Sequence, residues 1–166
     1  METERRDSFE LVLEYPHPVF AGKKIDCVVM NKANEQLEAI EFKYFPPREN
    51  HAASAEGVGG IFADCYRLLK TNIPKKTIVI VSWGKMTKYI LNIKYRFDFL
   101  FEQSPKEKLI DKSFLNNIKQ KGFHEAIISR TCQKFKPYAF SMKQDFLDCF
   151  DNSKGYIVVY DILDVN

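Results

Sequence analysis

The sequence predicts an α/β domain with a central mixed β-sheet flanked by helices. Three short apolar runs separated by turn residues come first, as in an antiparallel meander. A run with helical spacing follows, and then the nearly continuous apolar run Thr77–Trp83, which is typical of a strand buried on both faces of a mixed sheet. Residues 1–166 are assigned to a single domain, because no repeat, low-complexity tract or linker divides them.

The predicted sheet begins with a meander of three strands. They are Ser8–Tyr15, Lys24–Met30 and Leu37–Tyr44. Pro16 ends the first strand and Pro46 closes the third, because proline has no N–H to donate to a sheet ladder. The polar stretch Asn31–Glu35 has the composition of a turn, so the second and third strands are expected to pair as a hairpin.

Helices are predicted where apolar residues recur three and four positions apart. The clearest set follows a polar loop (Arg48–Glu56) and Gly57-Val58-Gly59-Gly60, and it is expected to end near Asn72. Further helices are expected over Thr87–Ile93, Leu109–Lys121 and Gln144–Phe150, with Gly122 as a C′ residue, and further strands over Ala126–Ser129 and Tyr156–Leu163. Residues 8–83 are therefore the expected core, and residues 84–166 its C-terminal extension.

The composition limits the partners, metal sites and cellular location that are expected for this protein. The net charge is +3 and the sequence pI about 8.6, a mildly basic balance that permits nucleic-acid binding without requiring it. None of the four cysteines forms a CxxC pair, so reduced thiols and no zinc site are expected. The charged N-terminus is followed by no apolar segment of signal-peptide type, and no apolar run has the length of a membrane span. A cytoplasmic protein with no membrane contact is expected.

One group of charged residues in the predicted hairpin is a candidate catalytic site. Glu41 and Lys43 are two apart in a strand, so they project from the same face. Asp26 lies in the neighbouring apolar strand, where an acid is costly unless it is paired, hydrated or bound to a metal. A turn centred near Asn34 places Asp26 and Glu41 at comparable distances along the hairpin, so the two carboxylates are expected to converge.

These residue types suit the hydrolysis of a phosphodiester. Two carboxylates and a main-chain carbonyl, expected to be that of Phe42, make a hard oxygen site suited to Mg²⁺. A metal ion in such a site polarises the phosphate and lowers the pKa of a bound water. Lys43 is placed to orient that water or to stabilise the negative charge that develops on phosphorus.

The stretch Phe9–Trp83 resembles the PD-(D/E)XK nuclease superfamily. The resemblance lies in Ile25-Asp26, fourteen intervening residues and then Glu41-Phe42-Lys43, followed by a helix and a buried strand. The resemblance implies a restriction-endonuclease-like core and a DNA endonuclease in which Asp26 and Glu41 bind Mg²⁺, or Mn²⁺ in its place, and Lys43 assists the water. It also implies a possible further acid, which would be Glu14, and a homodimer. Two features depart from the pattern: Ile25 replaces proline, and the helix that normally precedes the first strand has almost no room before Ser8. Either the sequence begins late in the domain, or another chain or the C-terminal half is expected to supply that helix.

Several alternatives stay open from the residues alone. Glu41 and Lys43 also fit a same-face pair on a solvated strand, and Asp26 fits a satisfied buried carboxylate. Asp64 and Arg67, spaced i to i+3, are expected to form a surface ion pair that contributes little to stability. The alternative is that either side chain contacts nucleic acid. A catalytically inactive module that retains the fold, to bind nucleic acid or another protein, is the rival to an enzyme.

Minor candidates have similar alternatives. His51 is expected to be an exposed loop residue rather than an accessory catalytic group. Basic residues mixed with Tyr89 and Tyr95 fit either a nucleic-acid groove or a solvated face. These basic residues are Lys70, Lys75, Lys76, Lys85, Lys88, Lys94 and Arg96.

Overall fold

The computed structural model describes residues 9–46, 54–102, 106–131, 139–152 and 154–165. The strands are β1 (Glu10–Pro16), β2 (Lys24–Met30), β3 (Gln36–Phe45), β4 (Lys75–Trp83), β5 (Glu107–Ile110), β6 (Phe140–Phe150) and β7 (Gly155–Asp164). The helices are α1 (Ala55–Leu69), α2 (Lys85–Ile90), α3 (Lys112–Asn117) and α4 (Lys121–Thr131), and two 3₁₀ turns span Ile93–Tyr95 and Asp98–Phe101. The α/β class is thereby confirmed.

The described strands form one seven-stranded mixed sheet in the order β1-β2-β3-β4-β7-β6-β5. β1, β2 and β3 make the predicted antiparallel meander, and β4 runs parallel to β3. Such a parallel neighbour needs a crossover, and α1 is that crossover. The C-terminal half completes the sheet, because β7 pairs antiparallel with the free edge of β4.

Helix α1 begins at the side chain of Ser54, which accepts a hydrogen bond from the N–H of Gly57 at 3.3 Å. Its buried apolar residues pack against β3, β4 and β7, as the helical spacing predicted. Helix α4 lies against α1, so the core of the protein is formed between the sheet, α1 and the second half of the chain. Phe62 illustrates this arrangement, because its ring packs against Phe114 and Phe123.

The glycines of Gly57-Val58-Gly59-Gly60 lie inside α1, not in a loop before it, and close helix packing explains Gly59. A Cβ on Gly59 would collide with the main-chain oxygen of Phe123 and lie 2.9 Å from Cβ of Ala126. The three atoms nearest to a Cβ on Gly60 all belong to the guanidinium of Arg130, with Nη1 at 2.7 Å, at the end of a long flexible side chain.

These two glycines are expected to respond oppositely to alanine. Gly59→Ala must push α4 away from α1 and should destabilise the protein by about 1–3 kcal/mol, as overpacking does. In Gly60→Ala the Arg130 side chain can move aside, and alanine is the better helix former by up to about 1 kcal/mol. Urea unfolding of both variants measures the difference. Equal losses of stability would contradict the close approach of α1 and α4 at Gly59.

Three predicted elements in the second half are wrong. Gln144–Phe150 is part of strand β6 rather than a helix, because a bulge between Gln144 and Phe146 interrupts the strict alternation of inward and outward residues. Ala126–Ser129 lies within α4, whose buried Phe123, Ala126 and Ile127 have the i, i+3, i+4 spacing of a helix.

The predicted helix Leu109–Lys121 divides into three elements. Leu109 and Ile110 pair with β6 as the end of β5. Asp111 then caps α3, and its Oδ1 accepts from the N–H of Phe114 at 2.7 Å. Gly122 belongs to the first turn of α4 and is not a C′ residue. The predicted loop at 48–56 lies partly outside the described residues, and its last two positions begin α1.

The sheet face opposite α1 carries an open apolar patch in the described residues. Glu41 and Lys43 point towards α1, so Phe42 and Tyr44 point the other way, and Tyr44 is 62% exposed. Leu11 and Leu13 lie on this same face of the edge strand, with Leu13 70% exposed. None of the helices in the described part of the chain has the length and apolar composition needed to cross a lipid bilayer.

Candidate active site

Asp26 and Glu41 meet where strands β2 and β3 separate. Both strands are fully described, and their ladder ends at the pair Cys27 and Ile40. Beyond this pair, the side chain of Asp26 takes the place of a main-chain partner: the N–H of Phe42 donates to its Oδ2 at 2.7 Å. The carboxyl groups of Asp26 and Glu41 are close enough to share a hydrogen bond when Glu41 is protonated.

The main chain of Phe42 faces the same gap. In an extended strand the N–H and C=O of one residue point to the same side, so the carbonyl of Phe42 is directed towards Asp26 together with its N–H. Its side chain points to the open face of the sheet. Two carboxyl groups and one main-chain carbonyl are therefore gathered at one fork in the sheet.

Helix α1 adds an acid and a base to this site. Asp64 is fully buried and forms ion pairs with Nζ of Lys43 and, at 2.7 Å, with Nη2 of Arg67. The same Nη2 lies 3.1 Å from Oε1 of Glu41. The expectation that Asp64 and Arg67 form a surface pair is thus wrong: the pair lies between the helix and the sheet and connects both catalytic candidates of β3.

Histidine 17 anchors the loop that precedes β2 to this helix. Nδ1 of His17 accepts from the N–H groups of Val19 and Phe20, both at 3.1 Å, so the proton is on Nε2. Nε2 donates to the main-chain oxygen of Arg67 at 2.9 Å. Burial lowers the pKa of His17, which keeps the ring neutral and this connection intact near neutral pH.

The site contains three acids and two bases, and the excess of acids affects the pKa of Glu41. The acids are Asp26, Glu41 and Asp64, and the bases are Lys43 and Arg67. Burial and the negative charge of Asp64 raise the pKa of Glu41 to about 8, against the opposing effect of Arg67. Asp26 contributes in the same direction as Asp64. Glu41 is only 2% exposed, whereas Asp26 is exposed. Near neutral pH, Glu41 is therefore largely protonated and the five side chains together are close to neutral.

This raised pKa makes stability depend on pH. Between the ordinary value of 4.5 and about 8, folded Glu41 holds a proton that the unfolded chain has lost, so stability falls as pH rises, by roughly 1.4 kcal/mol per pH unit. Glu41→Gln removes this dependence. We expect its stability relative to wild type to increase steadily from pH 5 to pH 8, measured by urea unfolding. Parallel stability curves for the two proteins would contradict a proton on Glu41.

The residues at the fork fit a divalent cation. Asp26 is exposed, Glu41 is beside it, and Mg²⁺ commonly binds one or two carboxylates together with water. A cation here would also relieve the repulsion that raises the pKa of Glu41. Among the described residues no group of three or more His, Cys, Asp or Glu side chains is arranged to hold a metal. The protein would therefore supply two carboxylates and a carbonyl, because Lys43 and Arg67 already neutralise Asp64.

The structure thus brings Asp26, Glu41 and the main chain of Phe42 together, and it places Lys43 on the same face, bound to Asp64. The carboxylate of Glu14 forms an ion pair with Nζ of Lys24 at 2.5 Å, and the side chain of Glu14 is largely exposed. His51 and Cys132 lie outside the described residues, and the other three cysteines are free thiols.

Asp64 and Arg67 are the functional candidates to which the sequence assigned a minor role. The available signal was Asp64 itself, an acid on the apolar side of an amphipathic helix.

In comparisons with known proteins, no family model, no curated protein and no solved structure matches this chain.

Proposed function

We propose that this protein is a metal-dependent nuclease, a DNA endonuclease that uses Mg²⁺ to hydrolyse phosphodiester bonds. The observation that carries the proposal is the meeting of Asp26 and Glu41 at the fork between β2 and β3, with Lys43 on the same face. The order of strands and helix supports it, because a meander followed by a helix and a buried strand is the order on which the PD-(D/E)XK resemblance rests.

Each side chain has a distinct part in the reaction. Asp26 and Glu41 would hold the cation with the carbonyl of Phe42. A bound Mg²⁺ supplies a Lewis acid that polarises the phosphate and makes its water a stronger nucleophile. The ammonium group of Lys43 stabilises the negative charge that develops on the phosphate oxygens.

Asp64 and Arg67 act through the other residues and are positioning residues. Asp64 holds Nζ of Lys43 in one place, and Arg67 holds the carboxyl group of Glu41. A charged group fixed in this way needs little rearrangement as charge develops in the transition state.

Cleavage is tested with plasmid and single-stranded DNA in the presence of Mg²⁺, Mn²⁺ or EDTA. A nuclease of this type converts the plasmid to nicked or linear forms with either metal and leaves it intact in EDTA. Cleavage that persists in EDTA would exclude the proposed chemistry, and no cleavage with either metal would exclude the activity.

A second function is favoured by one observation, the open apolar face of the sheet with Leu11, Leu13, Phe42 and Tyr44. Exposed apolar patches on sheets mark contact with other proteins. The partner that fits is an amphipathic helix with an apolar stripe, because a sheet face of this kind is ordinarily covered by a helix. If this second function is correct, the protein should be inactive in the cleavage assay. It should form a complex with such a helix, and Leu13→Asp should disrupt that complex.

A further inference from the structure

One surface segment is strongly basic, residues 84–97, here called the basic segment. It consists of α2, the 3₁₀ turn Ile93–Tyr95 and the residues that flank them. It has four basic side chains and no acidic one. These side chains are Lys85, Lys88, Lys94 and Arg96, and all four residues are exposed.

The basic segment has a defined shape. The rings of Tyr89 and Tyr95 stack on each other with centroids 4.4 Å apart and an interplanar angle of 19°, which ties α2 to the 3₁₀ turn. Both rings also pack against the hydrophobic core. Asn92 caps the turn, where its side chain accepts from the N–H of Lys94 at 3.1 Å. The basic side chains therefore project from backbone that is held in place.

The positive charge of Lys88, Lys94 and Arg96 is little neutralised by the described part of the protein. Lys88, Lys94 and Arg96 take part in none of the ion pairs formed within the described part of the chain. Lys75, by contrast, lies close to both Glu38 and Asp161. The nearest acid along the chain is Asp98, which interacts with Glu102. Such a group of exposed cations attracts a polyanion.

The basic segment lies close to the proposed active site. A Cβ on Gly57 would come within 3.0 Å of Cε of Met86 and 3.3 Å of Cε1 of Phe45, so α2 and the end of β3 both touch α1 at this point. Phe45 is two residues beyond Lys43 and on the same face of the sheet. Two residues of strand span roughly 7 Å, so the segment and the site are within the reach of one stretch of DNA backbone.

We propose that Lys88, Lys94 and Arg96 bind the phosphate backbone of the DNA that the proposed active site cleaves. This proposal rests on the nuclease function and adds the surface that holds its substrate. Contacts to phosphate position a protein on DNA without reading the base sequence. Tyr89 and Tyr95 are engaged with each other and with the core, so they do not serve as a platform for bases.

The test is DNA binding by fluorescence anisotropy in EDTA, where binding is measured without cleavage. The triple variant Lys88→Gln, Lys94→Gln, Arg96→Gln is compared with wild type over a series of salt concentrations. Loss of three phosphate contacts should make the dependence of log affinity on log salt shallower by about 2.7, at about 0.9 per contact. At the lowest salt concentration, affinity for duplex DNA should fall at least about tenfold.

The matched control changes the net charge equally at three exposed lysines elsewhere: Lys32→Gln, Lys119→Gln, Lys143→Gln. Retained affinity in the control and weak binding in the triple variant would support the proposal. Equal losses in both would show an effect of total charge alone, and normal binding by the triple variant would likewise overturn it. Because binding is read without metal, an inactive wild type that still binds DNA through this segment would refute only the nuclease function.

Discussion

Replacing Lys43 with alanine should lower the rate of Mg²⁺-dependent DNA cleavage by about 100- to 1,000-fold, the usual effect of removing a group that stabilises transition-state charge. The ammonium group lies on the same face as Glu41 and is held by Asp64, so its positive charge has a fixed position in the site. Glu41→Gln should cause a loss at least as large, because it removes a proposed metal ligand. Initial rates of plasmid nicking by the purified variants give these values.

Lys75→Ala is the matched control for Lys43→Ala. Lys75 is also a lysine of the sheet with an ion pair, but it lies on the opposite face and its side chain is about half exposed. Its replacement should leave the cleavage rate within about twofold of wild type, as for a surface change away from the site. Unchanged cleavage by Lys43→Ala would point to a contaminating nuclease and would refute the assignment of Lys43.

Asp64→Ala is expected to produce the largest loss of stability, about 3–5 kcal/mol in the free energy of unfolding. Asp64 is fully buried and is the ion-pair partner of both Lys43 and Arg67, whose side chains are also largely buried. Without it, two positive charges remain in a region of low polarity, with Glu41 and Asp26 as the acids that still act on Arg67. Part of the loss is offset because the pKa of Glu41 falls when the negative charge of Asp64 is removed.

Urea unfolding measures this loss, and Glu125→Ala provides the comparison. Glu125 pairs with Lys121 across one turn of α4, where both side chains are exposed, so its removal should change stability by no more than about 0.5 kcal/mol. Asp64→Asn separates charge from shape, because it keeps the size of the side chain and one acceptor oxygen but removes the negative charge. Stability losses of similar size in Asp64→Ala and Glu125→Ala would show that the buried charges are not coupled as the structure indicates.

The meander and the meeting of Asp26 with Glu41 were predictable from the sequence. The turn lies between the two strands, where the side chain of Asn31 accepts from the N–H groups of Ala33 and Glu35, and Asn34 adopts a positive φ of 59°. A hairpin turn determines which residues face each other across the pair. Counting outwards from the turn was therefore enough to put the two acids at comparable distances along the hairpin. Their final alignment also depends on the register shift between Val29 and Met30, which only the structure shows.

The involvement of Asp64 and Arg67 was not predictable with the same certainty. Their spacing shows only that they share one side of a helix, and such pairs are most often on the surface. Which side of α1 meets the sheet depends on how Phe62, Leu68 and other apolar side chains pack against β4, β7 and α4. Strand β6 was misread for a related reason, because its bulge is a property of pairing with β7 rather than of its own sequence.

By itself, then, the sequence determined the α/β class, the first four strands, the main helix and the acid–x–lysine strand beside a lone acid. All of these depend on patterns within short stretches of chain. Only the tertiary structure decided that Lys43 is bound to a buried acid, that Glu41 keeps a proton near neutral pH, and that a basic segment lies beside the site. These properties arise from contacts between residues distant in the chain, and such contacts exist only after the sheet and helices have packed together.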